Sequence, residues 1–313
     1  MFQNFIVAFE AVVPMFLTIS SGYCVKAAKI LDQKCIKQIN KLLFKILFPC
    51  VVICSLYGAS VREAFDSKLI SYSISIAVFM WIITIPIVKK LEKNDQSRGA
   101  MIQAINRSNF LVVGFPIVSN ICGKENIASA TLTIVGMLLV NNIMSVIILE
   151  IFRGGRPKPL HVIKEILINP IIIATFAGAF FMIAEIKLPY VIEATLNSVS
   201  DAATPLALII LGASLDLGTV GERKRNLLIC IVGKLIVVPA IVTFLGMFMG
   251  FRGVSFVTLL AFFAASPTTT SYTMADQMNS DSELARDSVI FSTALVAFTM
   301  FCWILLFKSI GMF

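Results

Sequence analysis

Charge is scarce in this 313-residue sequence: 14% of residues are Asp, Glu, Lys or Arg, and the mean hydropathy is +0.91. A soluble domain carries about 25% charged residues, so an ordinary soluble fold is excluded. Histidine is nearly absent, the one instance being His161 in a loop, which argues against a zinc or haem site; no metal and no resident cofactor are expected. The seven cysteines (24, 35, 50, 54, 122, 230, 302) form no C-x-x-C pair, and Cys50 and Cys54, though on one helix face, read as packing residues. H-E-x-x-H and a Ser/His/Asp set are both missing, so a membrane-embedded enzyme has nothing to work with. Also missing is a basic region before the first apolar stretch or a small-residue cleavage pattern after it, so that stretch is read as a retained span.

What is present is a succession of apolar runs of about 20 residues, each able to cross a hydrocarbon core of roughly 30 Å. Ten spans are expected, at 4–26, 39–58, 69–88, 100–122, 127–152, 167–186, 194–216, 226–249, 254–277 and 287–308. The net charge of +8 sits in the connections and does not point to nucleic acid. Lys26, Lys29, Lys34, Lys37 and Lys41 follow span one; Lys89, Lys90, Lys93 and Arg98 follow span three. Arg153, Arg156, Lys158 and Lys164 follow span five, and Arg223, Lys224 and Arg225 follow span seven. The other loops hold Arg62 and Lys68, then Lys124, Lys187 and Arg252. The basic excess marks one side as cytoplasmic, which puts both termini outside a plasma membrane.

Prolines carry a repeat. Pro14, Pro49, Pro86 and Pro116 recur as Pro170, Pro205, Pro239 and Pro267, at offsets of 156, 156, 153 and 151, and Gly22 pairs with Gly178 at 156. Five spans per half is an odd number, so the second half enters from the opposite face. The expected fold is an all-α integral membrane protein of ten transmembrane helices in two inverted five-helix repeats, 1–152 and 167–313, joined by a cytoplasmic linker 153–166.

Spans four (MIQAINRSNFLVVGFPIVSNIC) and nine (TLLAFFAASPTTTSYTMADQM) are polar where lipid rejects polarity, and each has a mid-span proline. A proline removes one backbone hydrogen bond and clashes with the preceding turn, so each helix should break at its proline, Pro116 or Pro267. Gly114 frees the chain before Pro116, and Ser266 is expected as an N-cap with Pro267 at the first position of the restarted helix. Their oppositely directed second halves would aim two helix N-termini, each with about +0.5 elementary charge, at one point suited to a carboxylate. The plainer reading is a pair of kinks that shape packing. Asn141 and Ser292, each 25 residues after its proline, with Asn142 and Thr293, can bond substrate or neighbouring helices.

Intramembrane charges cost about 2.5–3.5 kcal/mol at mid-helix, so each needs a reason. Lys234, deep in span eight, attracts an anion, pairs with a partner such as Asp276, or snorkels outward. Arg107 meets an anion or snorkels. Asp276 and Gln277 hold a cation, titrate a proton, or cap span nine. Glu10, Lys45 and Asp201 lie near span ends, and Gly246-x-x-x-Gly250 is a weak helix-pairing motif.

The segments NKLLFKILFP (40–49), RSNFLVVGFPI (107–117), NPIIIATFAG (169–178), ATPLALIILGASL (203–215), GKLIVVP (233–239) and ASPTTTSYTMADQ (265–277) resemble the auxin efflux carrier family, related to the bile-acid/sodium symporter fold. The resemblance implies a homodimer with a scaffold of spans one, two, six and seven. Spans three to five and eight to ten would form a moving transport domain with an elevator mechanism, the broken fourth and ninth helices would cross at Pro116 and Pro267, and Asn109 would be a substrate ligand. Phe110 and Leu111 depart from the small residue often found after that asparagine. The link RGGRPKPLHVIKE is far shorter than the loop of many plant carriers, which favours a bacterial permease of the inner membrane. The expected activity is secondary transport of a small organic anion, a dicarboxylate or an indole acid, bound by Asn109, Asn141 and Thr268, Thr269 and Thr270. Sodium coupling, proton coupling, potential-driven transport and a non-transporting ligand sensor stand as alternatives.

Overall fold

The computed structural model describes residues 14, 17–57, 66–122, 128–153, 164, 167–214 and 223–313. Glu10, Arg62, Lys124, Arg156, Lys158, His161, most of the first half of span one and most of the 153–166 link lie outside the described residues.

The described chain is mostly helical, with no strand among the described residues. Helix α1 covers 17–27, α2 Gln33–Leu42, α3 Phe48–Tyr57, α4 Ser67–Leu91, α5 Asp95–Asn106, α6 Phe115–Cys122 and α7 Ala128–Ile151. Then follow α8 Pro170–Ile183, α9 Tyr190–Ser214, α10 Lys224–Val232, α11 Val238–Phe248, α12 Gly253–Ala264, α13 Thr270–Gln277 and α14 Ser282–Ser309. Four helical stretches among the described residues are individually long and apolar enough to cross a membrane: Ser67–Leu91, Tyr190–Ser214, Lys224–Phe248 and Ser282–Ser309. Shorter apolar helices accompany them at Gly136–Ile151, Pro170–Ile183 and Gly253–Ala264. Large apolar side chains such as Phe180 (60% exposed) and Phe248 (88%) stand on the outside, as a lipid solvent permits.

Side-chain caps set the helix starts. Asp66 accepts from the Leu69 amide (3.0 Å), Asn169 from the Ile171 amide (2.9 Å), with Pro170 in the first turn, and Asp281 from the Leu284 amide (2.9 Å). The Ser97 hydroxyl donates to the other Asp281 oxygen (2.7 Å), which ties α5 to α14.

Pro86 and Pro205 lie inside continuous α-helices, whereas two other prolines follow widened turns. π-helical turns at Leu43–Leu47 and Gly233–Val237 stand just before Pro49 and Pro239, joining α2 to α3 and α10 to α11. A wider turn moves the carbonyl four residues back out of the ring's way. The Leu235 carbonyl, freed by Pro239, accepts instead from the Trp303 indole (2.9 Å).

With lipid on both sides of the question, packing between helices rests on close contact through small residues. A Cβ on Gly22 would collide with the Ile209 carbonyl, and one on Gly212 with the Ile19 carbonyl, so α1 and α9 touch backbone to backbone. A Cβ on Gly178 would lie 3.2 Å from the Ile53 Cα and 2.9 Å from the Leu56 side chain, where α8 meets α3. Gly22 and Gly178 are 156 residues apart, and so are their contacts, Ile53 and Ile209.

Candidate functional site

Spans four and nine are both unwound. Helix α5 ends at Asn106 with Arg107 extended (ψ 149°), and α12 ends at Ala264 with Ala265 extended (ψ 150°). The breaks occupy 107–109 and 265–269, and they meet: the Asn109 amide donates to the Ser266 carbonyl (2.7 Å). The Ser108 hydroxyl donates to the Phe262 carbonyl, one of the last four that α12 leaves without an intrahelical partner. A Cβ on Gly114 would lie 2.9 Å from the Ala261 carbonyl, so only glycine lets the chains approach this closely. Phe110 and Phe262 stack at 5.3 Å across the contact.

The crossing therefore lies upstream of Pro116, the position that the family resemblance implies. Pro116 falls in the first turn of α6, after a π-helical turn Phe110–Gly114, and the contact is made by 108–114 against 261–266. Pro267 lies inside the second break, but the helix restarts at Thr270 with Thr269 as N-cap, so Ser266 does not cap it. The first chain leaves helical geometry at the polar residues 107–109, seven or more residues before Pro116.

A cavity of about 130 Å³ opens beside the crossing. Its polar wall comes from Arg107, Ser108, Asn109, Asn141, Asn142 and Thr268, Thr269 and Thr270; Thr204 adds a hydroxyl from α9. Its apolar wall includes Phe48, Val51 and Val52 of α3, with Leu138 and Ile171. Of the residues singled out from sequence, Asn109, Asn141, Asn142, Thr268, Thr269, Thr270 and Arg107 line it. Gly114, Pro116, Ser266, Pro267, Ser292, Lys234, Asp276 and Gln277 do not. The apolar wall and Thr204 were not expected, because an apolar residue in an apolar span carries no signal of its own.

Arg107 is 4% exposed. Its Nη2 donates to the Asn142 Oδ1 (3.3 Å), its Nη1 meets the Met274 sulfur, and its Nε has no partner. Among the described residues no carboxylate pairs with it. It does not snorkel. A guanidinium offers five donors, and a buried one facing a cavity with donors left over is suited to a carboxylate. Asn142 is oriented by donating to the Thr175 hydroxyl (3.3 Å), and Asn141 accepts from the Trp81 indole (3.2 Å). The Thr268 and Thr270 hydroxyls bond each other at the start of α13, where the first backbone amides of a helix have no intrahelical acceptor.

Asp276 is engaged elsewhere. It accepts from Asn40 Nδ2 (2.8 Å) and Gln277 Nε2 (3.0 Å), and the Thr273 hydroxyl donates to Asn40 Oδ1 (2.6 Å). Asn40, from α2, thus clasps α13. The expected Lys234–Asp276 pair is not formed; the Lys234 amine is fully buried with no hydrogen-bond partner among the described residues, so it does not snorkel. Lys234 stands five residues before Pro239 as Trp81 stands five before Pro86, and Ser292 matches Asn141. Trp81 bonds Asn141, whereas the Lys234 amine and the Ser292 hydroxyl have no hydrogen-bond partner among the described residues.

Comparison with known proteins gives this geometry a context. Residues 7–161 and 156–304 match the family model described as membrane transport protein. The chain belongs to this family, that of the auxin efflux carriers. An uncharacterized transporter of Methanothermobacter thermautotrophicus is 23% identical over 304 residues, covering 94% of this chain and 96% of that protein. Another, of Methanocaldococcus jannaschii, is 21% identical over 309 residues, covering 95% and 98%. This auxin efflux carrier family member is a multi-pass membrane transporter and not an enzyme.

Proposed function

We propose that the protein carries a small organic anion across the plasma membrane, binding its carboxylate at Arg107 beside the crossed breaks. The observation that carries this reading is the buried Arg107 guanidinium, which faces the cavity with no carboxylate partner among the described residues. An anion in the cavity supplies the missing counter-charge, and the hydroxyls of Thr268, Thr269 and Thr270 with the amides of Asn109, Asn141 and Asn142 orient the rest of it. Malonate, malate and an indole acid each present a carboxylate to such a site.

Ten spans in two inverted repeats form the frame of this proposal. Support comes from the offset of 156 shared by the Gly22–Ile209 and Gly178–Ile53 contacts, which an inverted two-fold relation requires. An elevator motion in a homodimer, with spans three to five and eight to ten moving against spans one, two, six and seven, completes it. The cavity walls belong to both groups, so such a sliding motion would carry the polar wall past the apolar one. Sodium coupling through Asp276 is disfavoured, since that carboxylate holds Asn40 and Gln277.

Uptake of radiolabelled malonate and malate into proteoliposomes tests the reading, with and without sodium. Saturable uptake that is lost in Arg107→Ala and reduced in Asn109→Ala is expected. Normal uptake in both variants overturns the site. Binding without exchange in counterflow overturns transport in favour of a sensor.

A further inference from the structure

A second concavity lies on the outside of the protein, between α4 and the α10–α11 stretch, with a volume of about 610 Å³. One wall carries Phe79, Ile83 and Ile87, and the other Val232, Val237 and Ile241. Ile105 and Gly233 also line it, and a Cβ on Gly233 would sit 3.0 Å from the Ile105 side chain. The walls are pinned at both ends. The Tyr72 hydroxyl donates to the Val242 carbonyl (2.7 Å) at one end, and Arg225 donates to the Leu91 carbonyl (2.8 Å) at the other.

The lining has one side-chain polar group, the Thr84 hydroxyl, and it is turned back to the Met80 carbonyl (2.6 Å). Nothing remains to recognise a polar molecule. Leu228 and Ile241 are thirteen residues apart, about 20 Å at roughly 1.5 Å per residue, comparable with the hydrocarbon depth of one leaflet. The character changes at the Arg225 end. One helical turn beyond the lining residues Ile87 and Leu228 stand Lys90 and Lys224, both exposed, with Lys93 and Arg225 beside them. The neighbouring carboxylate, Glu92, is already occupied: it accepts from Asn226 and from the backbone amides of Lys93 and Asn94.

We propose that this groove is a binding site for an anionic phospholipid, one acyl chain lying between α4 and α11 and the phosphate meeting Lys90 and Lys224. An apolar channel that opens at a basic mouth on one membrane face matches a lipid at both of its ends. The site is separate from the transport cavity and does not depend on the transport reading. Ile105 connects the two regions, because it touches the groove two residues before Arg107.

Native mass spectrometry of the detergent-purified protein tests this, using phosphatidylglycerol and phosphatidylcholine with identical chains. The wild-type protein should retain phosphatidylglycerol roughly thirtyfold more strongly, the preference expected of two basic residues at the headgroup. Lys90→Gln with Lys224→Gln should remove most of that preference, and Val237→Trp, which fills the groove, should release both lipids. Ile83→Trp fills it from the opposite wall and replaces Val237→Trp if that variant elutes as aggregate. Equal retention of the two lipids by wild type, or undiminished retention in the groove-filling variants, overturns the proposal.

Discussion

The two unwound segments share a backbone and differ in chemistry. Each leaves its helix through a residue with ψ near 150°, and one backbone hydrogen bond joins them at Asn109 and Ser266. The first contributes a buried guanidinium to the cavity; the second contributes hydroxyls alone. Farther out, Trp81 bonds Asn141, whereas Lys234 and Ser292 have no hydrogen-bond partner among the described residues. Two helix breaks can be alike in backbone while the side chains beside them differ, since the breaks and the side-chain contacts depend on different residues.

The largest effect should come from breaking the charge asymmetry. Arg107→Ala should lower transport by about a hundredfold or more, in line with the 2–5 kcal/mol that truncating one side of a buried charged pair costs. Arg107→Lys should recover only part, because an ammonium lacks the planar fork. Uptake rates across a substrate range separate binding from turnover.

The glycine contacts should give the next largest effect. Gly22→Ala places a methyl group against the Ile209 carbonyl, a backbone atom that cannot turn aside, so loss of well over 2 kcal/mol is expected. Gly178→Ala meets chiefly the Leu56 side chain and should cost nearer 1 kcal/mol. Thermal melting in detergent compares them, and equal losses would mean that the two contacts are packed alike.

The Trp81 and Lys234 positions should move in opposite directions. Trp81→Phe leaves Asn141 unsatisfied and should destabilise by about 1–3 kcal/mol. Lys234→Met removes a buried, unpartnered amine and should stabilise by a comparable amount. A destabilised Lys234→Met protein would show that the amine has a role that its contacts do not reveal.

The smallest effect concerns pH. The Asn94 backbone amide, with help from Asn226, holds the Glu92 carboxyl below its ordinary value of 4.5. A carboxylate depressed on folding contributes stability that is present above that ordinary value and lost as pH falls through the folded one. Melting temperatures at pH 6 and pH 4 should therefore differ slightly more for wild type than for Glu92→Gln.

Much of this molecule could be read along the chain, since hydropathy, loop charge and proline placement are local properties. They sufficed for membrane insertion, for the polar breaks in spans four and nine, and for the candidates Asn109, Asn141, Asn142, Arg107 and the threonines, all of which line the cavity. Ser266, Ser292 and Asp276 looked equally polar, yet they turn to Thr293, into the helix packing, and to Asn40. Which face of a helix meets a cavity depends on a partner some 150 residues away in the chain, and no local pattern contains that. Polar residues and a proline within one span are enough to mark spans four and nine as broken. That the first breaks ahead of Pro116, and that the two cross where Gly114 admits the Ala261 carbonyl, follows from the packed fold, because close approach is a property of two backbones together.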